Sequence, residues 1–217
     1  MHLMMRLHAH MAIAALALAG IAGAAAMDRA QALAALSHSE AQQRRAGVQR
    51  LAEIGTMADA DRLIGTLANA DAPMRVVTAA AVWQIWGRSG DTAIDKLFAR
   101  GVEQMESAQL NDALATFSEI VRRQPAFAEG WNKRATVYFL LGRHAESLKD
   151  CDEVLKRNRN HFGALSGAGQ IHLQLGNARE ALDFFRRAVD VNPALEGPAS
   201  MIPLLEQVLR DKGQKTI

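Results

Sequence analysis

The residue best suited to covalent chemistry in this 217-residue chain is its single cysteine, Cys151. A thiol acts as a nucleophile when a base or a nearby cation stabilises its thiolate. Cys151 lies instead between two acids, Asp150 and Asp152, and negative charges raise the pKa of a neighbouring thiol. One cysteine also excludes an intramolecular disulfide and a metal site with several cysteine ligands. We therefore expect Cys151 to be a small buried core residue.

The other candidates for catalysis or metal binding are too dispersed to form a site. His161 and His172 are 11 residues apart, which separates them by about 16 Å along a helix, too far to share one ion. Gly163, Gly167 and Gly169 lie inside a predicted helix with no strand before it, so they do not form a nucleotide-binding motif. The sequence also has no Gly-x-Ser-x-Gly motif and no phosphate-binding loop,. The remaining histidines after residue 26 are His38 and His144. We predict no enzymatic activity, no cofactor and no metal site.

Composition favours helices and argues against general nucleic-acid binding. Apolar residues make up 49% of the chain, but it has only 5 Pro and 1 Tyr, so turn formers and β-favouring aromatics are scarce,. The net charge is +2, from 25 Lys and Arg against 23 Asp and Glu. These charges are interspersed along the chain, whereas nucleic-acid binding requires a strong basic surface. We therefore expect no nucleic-acid partner.

Residues 1–26 have the three-part pattern of a secretory signal peptide. A head with one basic residue, Arg6, precedes an apolar stretch from Met11 to Gly23 and three alanines at positions 24–26. The apolar stretch is shorter than the roughly 20 residues that span a bilayer, and no cysteine follows it, which excludes a lipoprotein anchor. We predict a cleavable bacterial signal peptide and a periplasmic or secreted mature chain without membrane insertion. An uncleaved N-terminal anchor is the alternative.

Residue types recur every 34 positions between about residues 94 and 195. A period of this length is typical of repeats in which each unit is one pair of antiparallel helices. The recurring positions combine small residues, aromatic residues and residues near chain reversals: Gly101, Ala135 and Gly169; Pro125, Arg159 and Pro193; Gly142 and Gly176; and, at twice the spacing, Ala113 with Ala181 and Phe117 with Phe185.

This pattern resembles the tetratricopeptide repeat family. The resemblance implies three units over residues 91–196 and an all-α, right-handed superhelix. The middle unit departs from the family pattern at Ser147, Cys151 and Arg159, which replace a small Ala, an aromatic and a Pro. The residues that carry the resemblance are Leu97, Gly101, Ala113, Phe117 and Pro125 in the first unit, Trp131, Ala135, Tyr138, Leu141 and Gly142 in the second, and Leu165, Gly169, Leu175, Gly176, Ala181, Phe185, Ala188 and Pro193 in the third.

Residues 27–90 carry a looser repeat with an offset of 31, in which Arg44 aligns with Arg75. This segment resembles HEAT-type helix pairs, where an Arg follows a short turn. We expect Trp83 and Trp86 to pack at the junction with the first tetratricopeptide unit; an exposed aromatic platform for a ligand is the alternative. Residues 197–217 are predicted to form a capping helix and tail, with a break at 196–198 and an apolar face that covers the open end of the superhelix.

The family resemblance also implies a binding surface, because the first helix of each unit lines a concave groove. We predict that a protein or peptide binds there through amide contacts and apolar pockets, with Phe98 and Phe139 as aromatic anchors. The alternative for each ring is packing inside its own helix pair. The groove lacks the paired cations that clamp a C-terminal carboxylate. The predicted partner-binding residues are Phe98, Met105, Asn132, Thr136, Phe139, Ser166 and Gln170.

The sequence therefore predicts a binding scaffold of the cell envelope whose partner is a protein or peptide. Two other functions remain open. The chain could be a self-associating, homo-oligomeric element of an envelope assembly, since three units can pair through their ends. It could also be an accessory subunit of an enzyme encoded elsewhere.

Overall fold

The computed structural model describes residues 27–214, and the side chains of residues 27–211. Within that range the chain forms eleven α-helices and no strand, so the all-α prediction is confirmed. The signal peptide expected over residues 1–26 lies outside the described residues. Among the helices of the described range, none combines the length and the apolar character needed to cross a membrane.

Four helices form an N-terminal block over residues 27–88. They are α1 (Arg29–Ala35), α2 (Ala41–Ile54), α3 (Met57–Leu67) and α4 (Ala72–Trp86). Helices α1 and α2 pack as one pair, α3 and α4 as another, and α2 lies against α4. Leu51, Leu63 and Val82 meet in the resulting core and are fully buried.

Arg44 and Arg75 have equivalent positions in the two helix pairs of this block. Each lies in the first turn of the second helix and donates to carbonyl groups just before that helix. Arg44 Nη1 lies 2.8 Å from the carbonyl oxygen of His38, and Arg75 Nε lies 3.0 Å from that of Leu67. The internal repeat in this block is therefore real, while its assignment to HEAT-type repeats stays a prediction.

Asp59 ties α1 to α3 inside the same block. Its buried carboxylate accepts hydrogen bonds from the Thr56 amide, at 2.7 Å, and from the Arg29 guanidinium, at 2.7 and 2.8 Å. The bonds with Thr56 form a capping box that starts α3,. The hydrogen bonds from Arg29 hold the pKa of Asp59 below its ordinary value despite its burial.

Three antiparallel helix pairs follow, and a last helix closes the array. The first helix of each pair lies against the second, and each pair packs on the next. The pairs are α5 (Thr92–Glu106) with α6 (Leu110–Arg123), α7 (Ala128–Leu140) with α8 (His144–Arg157), and α9 (Phe162–Gln174) with α10 (Ala178–Val191); the last helix is α11 (Glu196–Gln214).

A small residue on the first helix faces a larger one on the second in each pair. A Cβ on Gly169 would lie 2.6 Å from the Phe185 ring, and one on Gly101 would lie 2.8 Å from Phe117, so only glycine fits opposite an aromatic ring at these positions. The middle unit has Ala135 and Cys151 at the equivalent positions, and both are buried in one cluster. The smaller cysteine there leaves room for the methyl group of Ala135.

The turns between paired helices repeat a left-handed backbone conformation. Gly142 and Gly176 have φ angles of 73° and 76°. The first unit uses Ala108 at the equivalent position, 34 residues before Gly142, with φ of 58°. An L-residue with a side chain is strained there, because its Cβ approaches the following carbonyl oxygen.

The last helix begins earlier than predicted. The expected break at residues 196–198 is instead the first turn of α11, where a proline is tolerated because the first amides of a helix have no helical partner,. Leu205 and Leu209 pack against α10 and cover the end of the array as expected. Leu204 and Val208 face outward and are 58% and 43% exposed.

Replacement of Ala108 with glycine should stabilise the protein. Glycine relieves the strain of the left-handed conformation, which stabilises the folded state by about 1–2 kcal/mol. The greater conformational freedom of glycine in the unfolded chain reduces this gain by about 0.4–1 kcal/mol. We expect Ala108→Gly to raise the free energy of unfolding in urea by about 0.5–1 kcal/mol.

The matched control is Ala115→Gly, at an exposed position in the interior of α6. It should lower the free energy of unfolding by about 1 kcal/mol. Equal destabilisation by both variants would contradict the strained turn at Ala108.

Candidate protein-binding surface

The predicted binding residues all lie on α5, α7 and α9, the first helices of the three pairs. These helices approach one another more closely than the second helices do, so they form the inner face of the array. This face carries Phe98 and Met105 on α5, Asn132, Thr136 and Phe139 on α7, and Ser166 and Gln170 on α9.

The two phenylalanines chosen as anchors are half-buried. The Phe98 ring packs edge-on against Phe117 and Phe127, with centroid distances of 5.9 and 5.5 Å, and Met105 packs against the same core. Phe139 packs on the cluster around Cys151. Each ring therefore contributes to the core of its own unit and keeps part of its surface on the inner face.

The hydroxyl groups on this face are bonded within their own helices. Thr136 Oγ1 donates to the Asn132 carbonyl oxygen at 3.0 Å, and Ser166 Oγ donates to the Phe162 carbonyl oxygen at 2.8 Å. Their oxygens retain lone pairs that can accept from a ligand. Gln170 lies one turn beyond Ser166 and is half-buried.

Asn132 belongs to a buried polar network that links α7 to α9. Its Nδ2 lies 3.1 Å from Glu129 Oε1 and donates to that carboxylate. His161 Nδ1 accepts a hydrogen bond from the backbone amide of Ala164, so the ring proton resides on Nε2. Nε2 donates to Glu129 Oε2 at 2.9 Å. Asn132, Glu129 and His161 are 8%, 2% and 0% exposed. Asn132 is thus buried, whereas its position in the predicted groove implied an exposed side chain.

Glu129 remains charged within this network. Burial alone would raise its pKa, but Lys133, His161 and Asn132 together hold the pKa below its ordinary value. The Lys133 ammonium lies 3.5 Å from the Glu129 carboxylate and supplies the balancing charge.

The cover over this network comes from α4 of the N-terminal block. The Trp86 ring stacks on the His161 imidazole, with centroids 4.3 Å apart and planes at 17°. The Trp83 ring meets His161 edge-on at 5.4 Å and Phe162 at 5.2 Å. The Lys133 ammonium lies 5.8 Å from the Trp83 ring centroid, within cation–π range,.

Gly163 makes this approach possible. A Cβ at Gly163 would lie 2.4 Å from the edge of the Trp83 ring, so any side chain there would displace the tryptophan. The two tryptophans were expected to pack against the first unit; these contacts are instead with the start of the third unit and with Lys133 of the second. The glycine at position 163, in the first turn of α9, is the sequence feature that permits this contact.

The apolar core of the N-terminal block also extends into the third unit. Phe162 is buried in that core, and Val191 at the end of α10 and Leu195 in the following loop pack against it. The block therefore rests on both helices of the third pair.

A cleft of about 220 Å³ remains beside the covered network, lined by Trp86, Gln124, Glu129 and Arg157 among others. Gln124 Nε2 donates to the Ser89 carbonyl oxygen at 2.8 Å. Gln124 Oε1 is buried without a hydrogen-bond partner among the described residues.

Cys151 lies away from the inner face, between α7 and α8. It is 2% exposed. Burial, Asp150 and Asp152 raise the pKa of its thiol to about 12, which agrees with its predicted role as a core residue.

Native Cys151 should resist alkylation. We expect iodoacetamide at pH 8 to modify the native chain at least about a hundredfold more slowly than the urea-unfolded chain, because the thiol is buried and protonated. A chain with the added exposed cysteine of Lys149→Cys should react at that site as a control. Equal rates for Cys151 in native and unfolded protein would contradict its burial.

The Glu129 network should make stability depend on pH. A lowered pKa means that Glu129 stabilises the fold above its ordinary pKa of 4.5, and that this contribution is lost as pH falls through the lowered value,. Glu129→Gln should lower the free energy of unfolding by about 1–3 kcal/mol at pH 7, and the difference should shrink below pH 4.5.

The control for this comparison is Glu119→Gln, which removes an exposed ion pair with Arg122 and should have a smaller effect. A constant difference between wild type and Glu129→Gln from pH 7 to pH 3, measured by urea unfolding, would show that the Glu129 carboxylate is not stabilised as described.

Comparison with known proteins identifies the repeats. The tetratricopeptide repeat family model matches residues 127–194, the second and third pairs. A tetratricopeptide repeat-containing protein of Rhizobium etli is 32% identical over 124 residues, which span 57% of this chain and 61% of that relative. Human DnaJ homolog subfamily C member 3 is 28% identical over 101 residues, 46% of this chain and 20% of the relative. The chain thus spans less than two thirds of either relative.

Solved structures share the fold at low sequence identity. The first tetratricopeptide domain of Spaghetti (RPAP3), bound to an HSP90 peptide, superposes with a TM-score of 0.52 at 20% identity, covering 54% of this chain and 93% of that domain. The Sgt2 tetratricopeptide domain from Aspergillus fumigatus gives 0.53 at 15% identity, covering 57% and 83%. These matches identify tetratricopeptide repeats in residues 127–194 and show that the helix pairs have the fold of tetratricopeptide domains.

Proposed function

We propose that this protein is a binding scaffold that holds a protein or peptide segment on the inner face of its repeats. The observation that carries the proposal is the pair of half-buried rings, Phe98 and Phe139, on the first helices of adjacent units. Rigid aromatic side chains supply much of the energy of such interfaces. Thr136 and Gln170 lie beside them and offer hydrogen bonds to a partner backbone.

The inner face has two parts with different accessibility. Its covered part consists of the first turns of α7 and α9, which lie under α4. Its open part comprises Phe98 on α5, Thr136 and Phe139 on α7, and Gln170 and Leu173 on α9, whose side chains are half-buried. We propose that a partner first binds the open part.

The charge of this face favours a neutral or weakly charged segment. The structure of the Spaghetti domain holds an HSP90 peptide, but Lys133, in the covered part of the inner face of this chain, is paired with Glu129. Amide and hydroxyl groups can bind an extended backbone without selecting its charge. We therefore propose recognition of apolar and neutral polar side chains rather than of a C-terminal carboxylate.

We further propose that the protein acts in the cell envelope and is not an enzyme. The first part rests on the signal-like pattern of residues 1–26. The second is supported by the repeat family, whose domains are interaction modules, and by the inert state of the Cys151 thiol.

Self-association through the C-terminal end is a second candidate function. Leu204 and Val208 lie one turn apart on the outer face of α11 and are largely exposed, and exposed apolar groups at the end of a repeat array favour end-to-end contact. Sedimentation at micromolar concentration tests it: a wild-type dimer that Leu204→Glu converts to a monomer supports this function, and a wild-type monomer contradicts it.

The scaffold function is tested by affinity capture from a cell-envelope extract with the chain from residue 27 onward. We expect a protein retained by wild type to be lost with the double variant Phe139→Ala, Gln170→Ala. The matched control is Lys149→Ala, Asp183→Ala, on exposed positions of α8 and α10, which should retain the protein. Unchanged far-ultraviolet circular dichroism checks the fold. Equal retention by all three chains would contradict binding at the open part of the inner face.

A further inference from the structure

Helix α4 occupies the inner face of the repeats as a ligand would. Trp83 and Trp86 are three residues apart and lie on one face of α4,. They contact His161 and Phe162 at the start of α9, and Trp83 lies within cation–π range of Lys133 on α7, so they meet two different repeat units. Aromatic side chains seated between two repeats are a typical mode of helix-in-groove recognition.

The surface beneath these rings is part apolar and part polar. Both tryptophan rings pack on Phe162, at 5.2 and 4.9 Å. Beside Phe162 lies the polar network of Glu129, Asn132, Lys133 and His161, in which the buried charge of Glu129 is balanced by its neighbours. A surface whose polar groups bond one another beneath an aromatic cover is typical of an interface between separate bodies.

The hydrogen bonds of the linker divide the chain into two parts between Arg88 and Ser89. Arg88 donates to the carbonyl oxygens of Ala52 and Gly55 and so belongs to the N-terminal block. Ser89 donates to Asp95, and its carbonyl oxygen accepts from Gln124 of the first unit. The exposed Gly90, with φ of 80° and open space around it, follows directly. Separation of the block from the repeats therefore requires release of its contacts with the third unit, since no backbone hydrogen bond within the described range joins the two parts at the linker itself.

We propose that the first turns of α7 and α9 form a receptor for an apolar helix with two aromatic side chains at positions i and i+3. Helix α4 is the resident occupant, and a partner protein with the same pattern binds by displacing it. This inference rests on the proposed scaffold function and names the kind of segment that the scaffold holds. Because the resident helix competes, the apparent affinity for the partner is reduced in proportion to the fraction of open molecules.

A peptide with the sequence of residues 72–88 tests the receptor without any natural partner. The peptide is labelled with fluorescein and titrated, by fluorescence anisotropy, against the chain from residue 27 onward. We expect the chain with Trp83→Ala and Trp86→Ala to bind the peptide at least tenfold more tightly than wild type, because its resident helix no longer fills the receptor. A peptide in which alanine replaces both tryptophans should bind neither chain.

Two glycines of α9 supply matched controls in the double-tryptophan variant. Addition of Gly163→Ala should weaken peptide binding at least tenfold, since the new Cβ would overlap the incoming ring at 2.4 Å. Addition of Gly167→Ala should leave binding unchanged, since its Cβ would meet only Cys151 Sγ at 3.9 Å. Both substitutions replace glycine with alanine within α9, so they raise its helix propensity to the same extent.

Circular dichroism checks that each chain is folded. If the double variant has lost helix content, the peptide titration is repeated with the single variant Trp83→Ala. The proposal is overturned if a folded variant fails to bind the peptide, binds the tryptophan-free peptide equally well, or is insensitive to Gly163→Ala. Peptide binding without any captured envelope protein would instead uphold the receptor and count against the proposed scaffold function.

Discussion

Two tryptophans of α4 pack on a buried histidine–glutamate pair, and this contact joins the N-terminal block to the repeats. Trp86 stacks on His161 at 4.3 Å, and His161 in turn bonds Glu129 of the preceding unit. The same contacts bury Asn132 and hold α4 against α9. They determine which part of the inner face is accessible, and so they govern how the repeats can meet a partner.

The repeats themselves could be predicted because their spacing reflects a strict steric requirement. Gly101 and Gly169 face phenylalanine rings at distances that exclude a side chain, so the residue types recur wherever the helices cross. The compensating pair of Ala135 and Cys151 follows the same rule with a smaller partner. The left-handed conformation of Ala108 could not be predicted, because alanine stands there in place of the glycine found at residues 142 and 176.

The contact between α4 and the repeats could not be predicted from periodicity. Trp83 and Gly163 are far apart in sequence, and their contact depends on how the N-terminal block folds back over the array. The family pattern implies that Asn132 lies in an open groove, whereas the structure leaves it 8% exposed and bonded to Glu129. The sequence indicates only that His161 is too far from His172 to share a metal ion; its bonds to Glu129 and Ala164 depend on tertiary packing and could not be predicted.

Hydrogen exchange tests the central claim, the cover that α4 provides for the repeats, most directly. We would compare wild type with Trp83→Ala under native conditions and follow peptides from α4, from the first turns of α7 and α9, and from α6. The account predicts faster exchange in α4 and in both first turns together, with α6 unchanged. Faster exchange confined to α4, with the turns of α7 and α9 unaffected, would show that α4 does not cover the inner face.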